Sequence, residues 1–126
     1  MKQRKTVEDY LKTIYFLSKT KEVHGAYIAE KLGVSKPTVS IALKSLEKEG
    51  YLTRDERRAV RLTETGLEIA EATYERHQTF QALLEDLGVD GKTAAADACL
   101  MEHAVSPQSY EALKELAEKK KAEGYE

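Results

Sequence analysis

Apolar residues in the first half of the chain fall at two periods. Val7, Tyr10, Leu11, Ile14, Tyr15 and Leu17 recur at helical spacing, which predicts a first helix over about 7–19. Thr6 followed by Asp9 has the spacing of a capping box, with Asp in place of the usual Glu. After a polar connector, Ala26 to Leu32 predicts a short helix with Ile28, Ala29 and Leu32 inward. Gly33 follows where a left-handed residue is wanted. Ser35 is a good N-cap and Pro37 is tolerated in a first turn. Val39, Ala42, Leu43 and Leu46 form the stripe of that next helix, which Gly50 ends. Tyr51-Leu52-Thr53 and Ala59-Val60-Arg61-Leu62 read as two short strands around the charged turn Arg54-Asp55-Glu56-Arg57-Arg58. Helix, tight turn, helix and hairpin make a winged helix-turn-helix.

The second half is all helical in pattern. Thr63 caps a long helix on which Leu67, Ile69, Ala70, Tyr74, His77, Phe80, Leu83, Leu84 and Leu87 form a broad apolar face up to Gly88. Asp90 opens a further helix that ends near Val105. Ser106-Pro107 starts a last one, through Leu113 and Leu116, before a charged tail from Glu118 that is expected to fray. The expected fold is mainly α: a winged helix-turn-helix over 1–63 and a helical domain over 64–126. Tyr74, Phe80, Leu84, Leu87, Val105 and Leu113 are candidates for a dimer interface or for the protomer's own core.

Composition sharpens this. The chain has 126 residues, 41% hydrophobic and 33% charged, with a net charge of −2. Charge is unevenly spread: residues 1–62 hold 14 basic and 8 acidic residues, whereas residues 63–126 hold 6 basic and 14 acidic. A positive half beside a negative half suits a DNA-facing end and a cation-facing end, although surface charge also simply varies along a chain. No apolar run reaches membrane-spanning length and no signal-peptide core follows the start, so a cytoplasmic protein without a membrane partner is expected. One cysteine, Cys99, cannot form an internal disulfide. In a reducing compartment it is a small buried hydrophobe, a reactive thiol or a metal ligand.

In a helix-turn-helix the second helix enters the major groove with its N-terminal residues at base edges. Its outward positions here are Ser35, Lys36, Thr38, Ser40, Ile41 and Lys44, with Pro37 in the first turn. Hydroxyls suit bases or phosphates and ammoniums suit phosphates. Arg57 and Arg58 at the wing tip reach a neighbouring groove or backbone, and Lys2, Arg4 and Lys5 form a basic N-terminal arm. The outer face carries no Asn, Gln or Arg, so shape and apolar contact from Ile41 and Pro37 bear more of the specificity.

Cys99, Glu102 and His103 stand at i, i+3 and i+4 of a helix and so share one face. Thiolate, carboxylate and imidazole converging there outline a divalent transition-metal site, with His77 as an upstream fourth candidate. Each has a plainer reading as well: a core cysteine, a solvated glutamate, a histidine at a helix C-terminus or on an apolar helix face.

The segments Glu8-Asp9-Tyr10-Leu11-Lys12-Thr13-Ile14-Tyr15, Ile28-Ala29-Glu30-Lys31-Leu32, Pro37-Thr38-Val39-Ser40, Leu62-Thr63-Glu64-Thr65-Gly66, Arg76-His77 and Cys99-Leu100-Met101-Glu102-His103 resemble, in order and spacing, the diphtheria toxin repressor and manganese transport regulator family. The resemblance implies a metal-dependent transcriptional repressor, not an enzyme, with a winged helix followed by a helical metal-binding and dimerisation domain. It implies the short type without an SH3-like domain. It also implies Asp9 as a ligand from the first helix, Cys99, Glu102 and His103 as the main cluster, and His77 as part of a second, neighbouring site. Lys12 stands where manganese-type members carry a carboxylate, Gln81 where a Glu is expected, and Ala95 where iron-type members have a His.

A thiolate favours iron, zinc or cobalt over manganese, whereas the short architecture points to manganese. Fe(II) is favoured, with Mn(II) a close alternative and Zn(II) or Co(II) able to bind in vitro. The expected partners are double-stranded operator DNA and a second copy of the chain; no organic substrate is expected. A competing reading is a winged-helix regulator that senses an organic ligand, or an oxidant through Cys99. A metalloenzyme fits poorly, for no nucleophile motif and no general base beside an open metal position is evident.

Overall fold

The computed structural model describes residues 4–123 and is mainly helical, with six helices and one two-stranded sheet among them. In order these are α1 (Arg4–Ser18), α2 (Gly25–Leu32), α3 (Lys36–Lys48), β1 (Leu52–Arg54), β2 (Val60–Leu62), α4 (Glu64–Asp86), α5 (Gly91–Ala104) and α6 (Pro107–Ala122). No helix among the described residues is long and apolar enough to cross a membrane. The chain divides into two compact units at Ala72/Thr73, further along than the 63/64 boundary of the sequence reading. The first turns of α4 explain the shift. Ala70 is fully buried in the core of the first unit, and Gly66 lies so close to the Tyr51 carbonyl that a Cβ would stand 2.1 Å from its oxygen.

In the first unit the core joins Leu11, Ile14 and Leu17 of α1 to Ile28 of α2, Val39, Leu43 and Leu46 of α3, and Leu52 and Val60 of the hairpin. The strands are antiparallel, with Leu52 opposite Leu62 and Arg54 opposite Val60. The Val60 amide also donates to the Val23 carbonyl at 2.8 Å, tying the connector before α2 to the wing. Gly33 closes α2 in the left-handed region at φ 71°. The Ser35 hydroxyl caps α3 by accepting from the Thr38 amide at 3.2 Å. Thr63 caps α4 by accepting from the Gly66 amide at 3.2 Å and donates to the Gly50 carbonyl at 2.7 Å. The Thr6–Asp9 capping box is absent: α1 already begins at Arg4, so Thr6 lies inside it.

In the second unit Phe80, Ala98 and Tyr110 form the centre, with Met101, Val105 and Leu113 packed against them. Phe80, Val105 and Leu113, candidates for a dimer interface, therefore serve the protomer's own core. Leu87, read as part of the apolar face of α4, is 72% exposed, because the helix has already ended at Asp86. Asp90 caps α5 through the Thr93 amide at 3.3 Å, and Ser106 caps α6 through the Ser109 amide at 3.1 Å. The described part of the charged tail is helical to Ala122 rather than frayed.

Candidate functional site

The chemistry of the second unit centres on Glu102. Its side chain is fully buried on α5, and its two carboxylate oxygens take two imidazoles: His77 Nδ1 at 3.2 Å and His103 Nε2 at 3.1 Å. Cys99, one turn earlier, places Sγ 3.7 Å from His77 Nδ1. Helical spacing accounts for three of these side chains, since i, i+3 and i+4 share a face. The fourth comes from α4, where His77 stands one turn before the buried Phe80. One donor atom each from His77, Cys99 and Glu102 lies within 4.8 Å of the others. Donors held 2.0–2.3 Å from a tetrahedral ion stand roughly 3.3–3.8 Å apart, so this set fits a divalent transition metal after small side-chain adjustments. The mixture of thiolate, imidazole and carboxylate suits Fe(II), Zn(II) or Co(II) and is compatible with Mn(II).

A carboxylate withdrawn from water costs several kcal/mol unless compensated. Two imidazoles and a metal ion are suitable compensation, and a polar cluster buried for packing alone would be better replaced by apolar groups. His77, assigned by the resemblance to a separate site, shares Glu102 with His103 and approaches Cys99. Gln81, the position where a Glu is expected, donates to Glu85 at 3.1 Å. Asp9 lies half-buried on α1, where its carboxylate accepts from Lys5 Nζ at 3.0 Å.

Arg76 escapes a search for ligands because it ligates nothing. It donates to the carbonyls of Glu102 and Val105 at 3.2 and 2.7 Å, at the C-terminus of the helix that carries the cluster. Its place beside His77 in the sequence is the signal that could have found it.

In the first unit, α3 presents Lys36, Pro37, Thr38 and Lys44 to solvent, with Ile41 69% exposed and Ser40 half-buried. Ser35 and Thr38 are joined hydroxyl to hydroxyl at 2.8 Å, which fixes the first turn. An open cleft between the start of α2, the face of α3 and the wing is lined by His24, Lys36, Ser40, Arg54, Arg57 and Arg58. Four of those six side chains are permanent cations, a composition that attracts phosphate. The wing turn is built by Asp55: its Oδ1 accepts from the amides of Arg57 and Ala59 at 2.9 and 3.0 Å. Those hydrogen bonds, that of Ala59 above all, hold the Asp55 carboxyl below its usual range. Arg58 adopts φ 65°, in the left-handed region, and Arg57 reaches Glu22 at 3.4 Å.

The basic arm expected before the first helix is not an arm where it is described. Arg4 and Lys5 belong to the first turn of α1 and pair with Glu8 at 2.9 Å and Asp9 at 3.0 Å, because i,i+4 charge pairs favour the helix. Lys2 lies outside the described residues. His24 and Arg54, which line the basic cleft, were not singled out by the sequence; Arg54 also pairs with Glu47 of α3 at 3.1 Å.

Comparison with known proteins agrees with both halves. Residues 3–60 match the iron dependent repressor N-terminal DNA binding domain, and residues 63–123 match the iron dependent repressor metal binding and dimerisation domain. An HTH-type transcriptional regulator of Methanocaldococcus jannaschii is 35% identical over 90% of this chain and 94% of its own length. The transcriptional regulator MntR of Escherichia coli O157:H7 is 35% identical over 93% of this chain and 76% of its own. The solved structure of the manganese regulator SloR superposes with a TM-score of 0.78 at 33% identity over 92% of this chain. The chain spans about half, 54%, of that structure. The basic helix-turn-helix, the buried Glu102 cluster and these likenesses lead to one conclusion: the chain belongs to the iron dependent repressor family of metal-dependent transcriptional repressors, which are not enzymes.

Proposed function

We propose that this chain represses transcription from the cytoplasm by binding operator duplex as a homodimer once Fe(II) occupies the Glu102 cluster, with Mn(II) the close alternative. The buried Glu102 carboxylate between His77 and His103, with Cys99 beside it, is the observation that carries the reading. A bound divalent cation supplies positive charge to this cluster. His77, Cys99, Glu102 and His103 hold that ion. Asp9, assigned by the resemblance, is a further ligand from α1. The thiolate of Cys99 inclines the site from manganese toward iron. In the first unit Ser35, Lys36, Pro37, Thr38, Ser40, Ile41 and Lys44 face the major groove, while Arg57 and Arg58 take phosphates, as do Arg4 and Lys5. Two-fold operators call for two recognition helices one turn of DNA apart, hence the dimer.

Metal and DNA then strengthen each other's binding by the same factor. The test is duplex affinity with Fe(II) or Mn(II) against chelator, with metal content per protomer measured alongside. Equal affinity in both conditions overturns the proposal, and Asp9→Asn is the variant that isolates the ligand from α1. A second reading, oxidant sensing, draws on the exposure of Cys99. Peroxide that changes DNA binding where metal does not would favour it.

A further inference from the structure

Residues 101–105 end a helix and carry Glu102 and His103, two of the four clustered side chains, so what holds that end decides where those two stand. The last four carbonyls of a helix lack intrahelical partners. Here Val105 turns extended at once, at φ −91° and ψ 134°, and the chain enters α6 without a left-handed cap. The missing donors come from α4. Arg76 Nη1 takes the Glu102 carbonyl at 3.2 Å and the Val105 carbonyl at 2.7 Å.

Two adjacent residues of α4 therefore hold the two ends of Glu102. His77 Nδ1 meets its carboxylate and Arg76 meets its carbonyl. A shift of α5 by one residue against α4 would break both. The guanidinium is itself fixed: it stacks 4.8 Å from the ring centroid of Tyr110. That ring is buried edge-on to Phe80, with centroids 5.7 Å apart. The Tyr110 hydroxyl donates to Glu75 at 2.6 Å.

We infer that Arg76 is a positioning residue for the metal cluster: it sets the register of α5 against α4, and so the placement of Glu102 relative to His77, without touching the ion. The inference rests on the metal reading above. Groups that orient metal ligands typically contribute 10–100-fold to metal affinity, whereas a cap that only stabilises the helix changes melting temperature and leaves affinity alone. Lysine is a poor replacement, since it lacks the planar fork and the stacking face of arginine.

The test is Co(II) titration of the full chain, read by the thiolate-to-cobalt absorbance of Cys99, with the apo melting temperature and helical circular dichroism recorded in parallel. Arg76→Lys is expected to bind Co(II) about 10–100-fold more weakly while keeping the helical signal. Arg76→Met, which keeps the alkyl stem, is expected to do the same and preserves the comparison if one variant does not fold. Tyr110→Phe keeps the ring under the guanidinium and loses the hydroxyl; it is expected to melt earlier yet bind Co(II) as the native chain does. Native-like Co(II) affinity in both Arg76 variants overturns the inference. So does an equal loss of affinity in Tyr110→Phe, which would make the effect one of general stability. A native chain that takes up no Co(II) sinks the metal reading and this inference together, whereas native binding with unchanged Arg76 variants sinks this inference alone.

Discussion

His77 of α4 and Glu102 of α5 meet at 3.2 Å, imidazole Nδ1 to carboxylate Oε1, with the glutamate side chain wholly out of solvent. A carboxylate in that position is costly in isolation, by several kcal/mol, and is retained where something compensates its charge. The other oxygen is committed to His103 at 3.1 Å. Both oxygens therefore face nitrogen atoms that can themselves ligate, so Glu102, His77 and His103 would together hold a divalent cation, which would supply the positive charge the carboxylate calls for.

Glu102→Gln tests that relationship most directly. The amide keeps the shape of the side chain and can still hydrogen-bond both histidines, but it brings no charge. Co(II) or Mn(II) affinity is expected to fall at least about 100-fold, roughly 2.7 kcal/mol. The apo melting temperature should hold or rise, since the desolvation cost of a buried carboxylate is removed while both hydrogen bonds are kept. Calorimetric titration beside thermal melting checks both. Native metal affinity in this variant would remove Glu102 from the site.

On the proposed metal reading, Cys99 is the donor expected to tune the choice of ion. Its Sγ lies 3.7 Å from His77 Nδ1 and the residue is exposed, so a replacement side chain has room. Cys99→Glu substitutes a hard oxygen donor for a soft sulfur. The ratio of Mn(II) to Co(II) affinity should rise by at least about tenfold, or 1.4 kcal/mol of relative binding energy. Competition titration with the two ions measures that ratio directly. An unchanged ratio would mean that the thiolate is outside the first coordination sphere.

The wing sets stability against binding at one position. Arg58 holds φ 65° while donating its amide to the Asp55 carbonyl at 2.8 Å. A side chain in the left-handed region costs roughly 1–2 kcal/mol, which glycine avoids. Arg58→Gly should therefore stabilise the chain by about 1 kcal/mol, less whatever the freer unfolded chain takes back. It should also weaken duplex binding and lower the salt slope by about one phosphate contact. Chemical denaturation and salt-dependent binding read the two effects separately. A stabilised variant with an unchanged salt slope would take Arg58 off the DNA face.

Residues near in sequence were legible and residues joined by packing were not. Ser35, Gly33, Thr63, Asp90 and Ser106 signal helix ends by local chemistry, and each stands where its hydrogen bond or backbone angle requires. Cys99, Glu102 and His103 share a face because 3.6 residues make a turn. The approach of His77 to that face depends on how α4 packs against α5, which periodicity does not encode, so resemblance alone assigned it to a separate site. Thr6 failed as a cap because the pairs Arg4–Glu8 and Lys5–Asp9 support a helix that begins earlier. Arg76, read only as the neighbour of His77, and Glu75 were not singled out as functional groups, since a charge on a long helix looks the same in sequence whatever it touches. Leu87 misled because its hydrophobicity implied burial, yet it lies past the helix end.

The ion pair between α4 and α6 gives the second unit a defined pH window. Glu75 accepts from Lys114 Nζ at 2.8 Å and from the Tyr110 hydroxyl at 2.6 Å. The Lys114 hydrogen bond comes first, and with that of Tyr110 it holds the Glu75 carboxyl below its ordinary value near 4.5. A carboxyl lowered on folding adds stability that is complete above the ordinary value and disappears as pH falls through the lowered one. At the alkaline end the hydrogen bond to Glu75 raises Lys114 above 10.5, and burial followed by that same carboxylate raises Tyr110 above 10.0. Both groups are more readily protonated in the folded state, so their contribution is complete below those ordinary values and fades as pH climbs through the raised ones. Melting temperature against pH should therefore show a plateau between about 5 and 9.5 with a shoulder on each side. Glu75→Gln removes the common partner: it should lower the plateau, remove the Glu75 share of the acid shoulder and weaken the alkaline one, leaving what the burial of Tyr110 contributes. Since Glu75 and Lys114 are partly exposed, the effect should shrink as salt is added. A variant with the native pH profile would show that this pair does not couple protonation to folding.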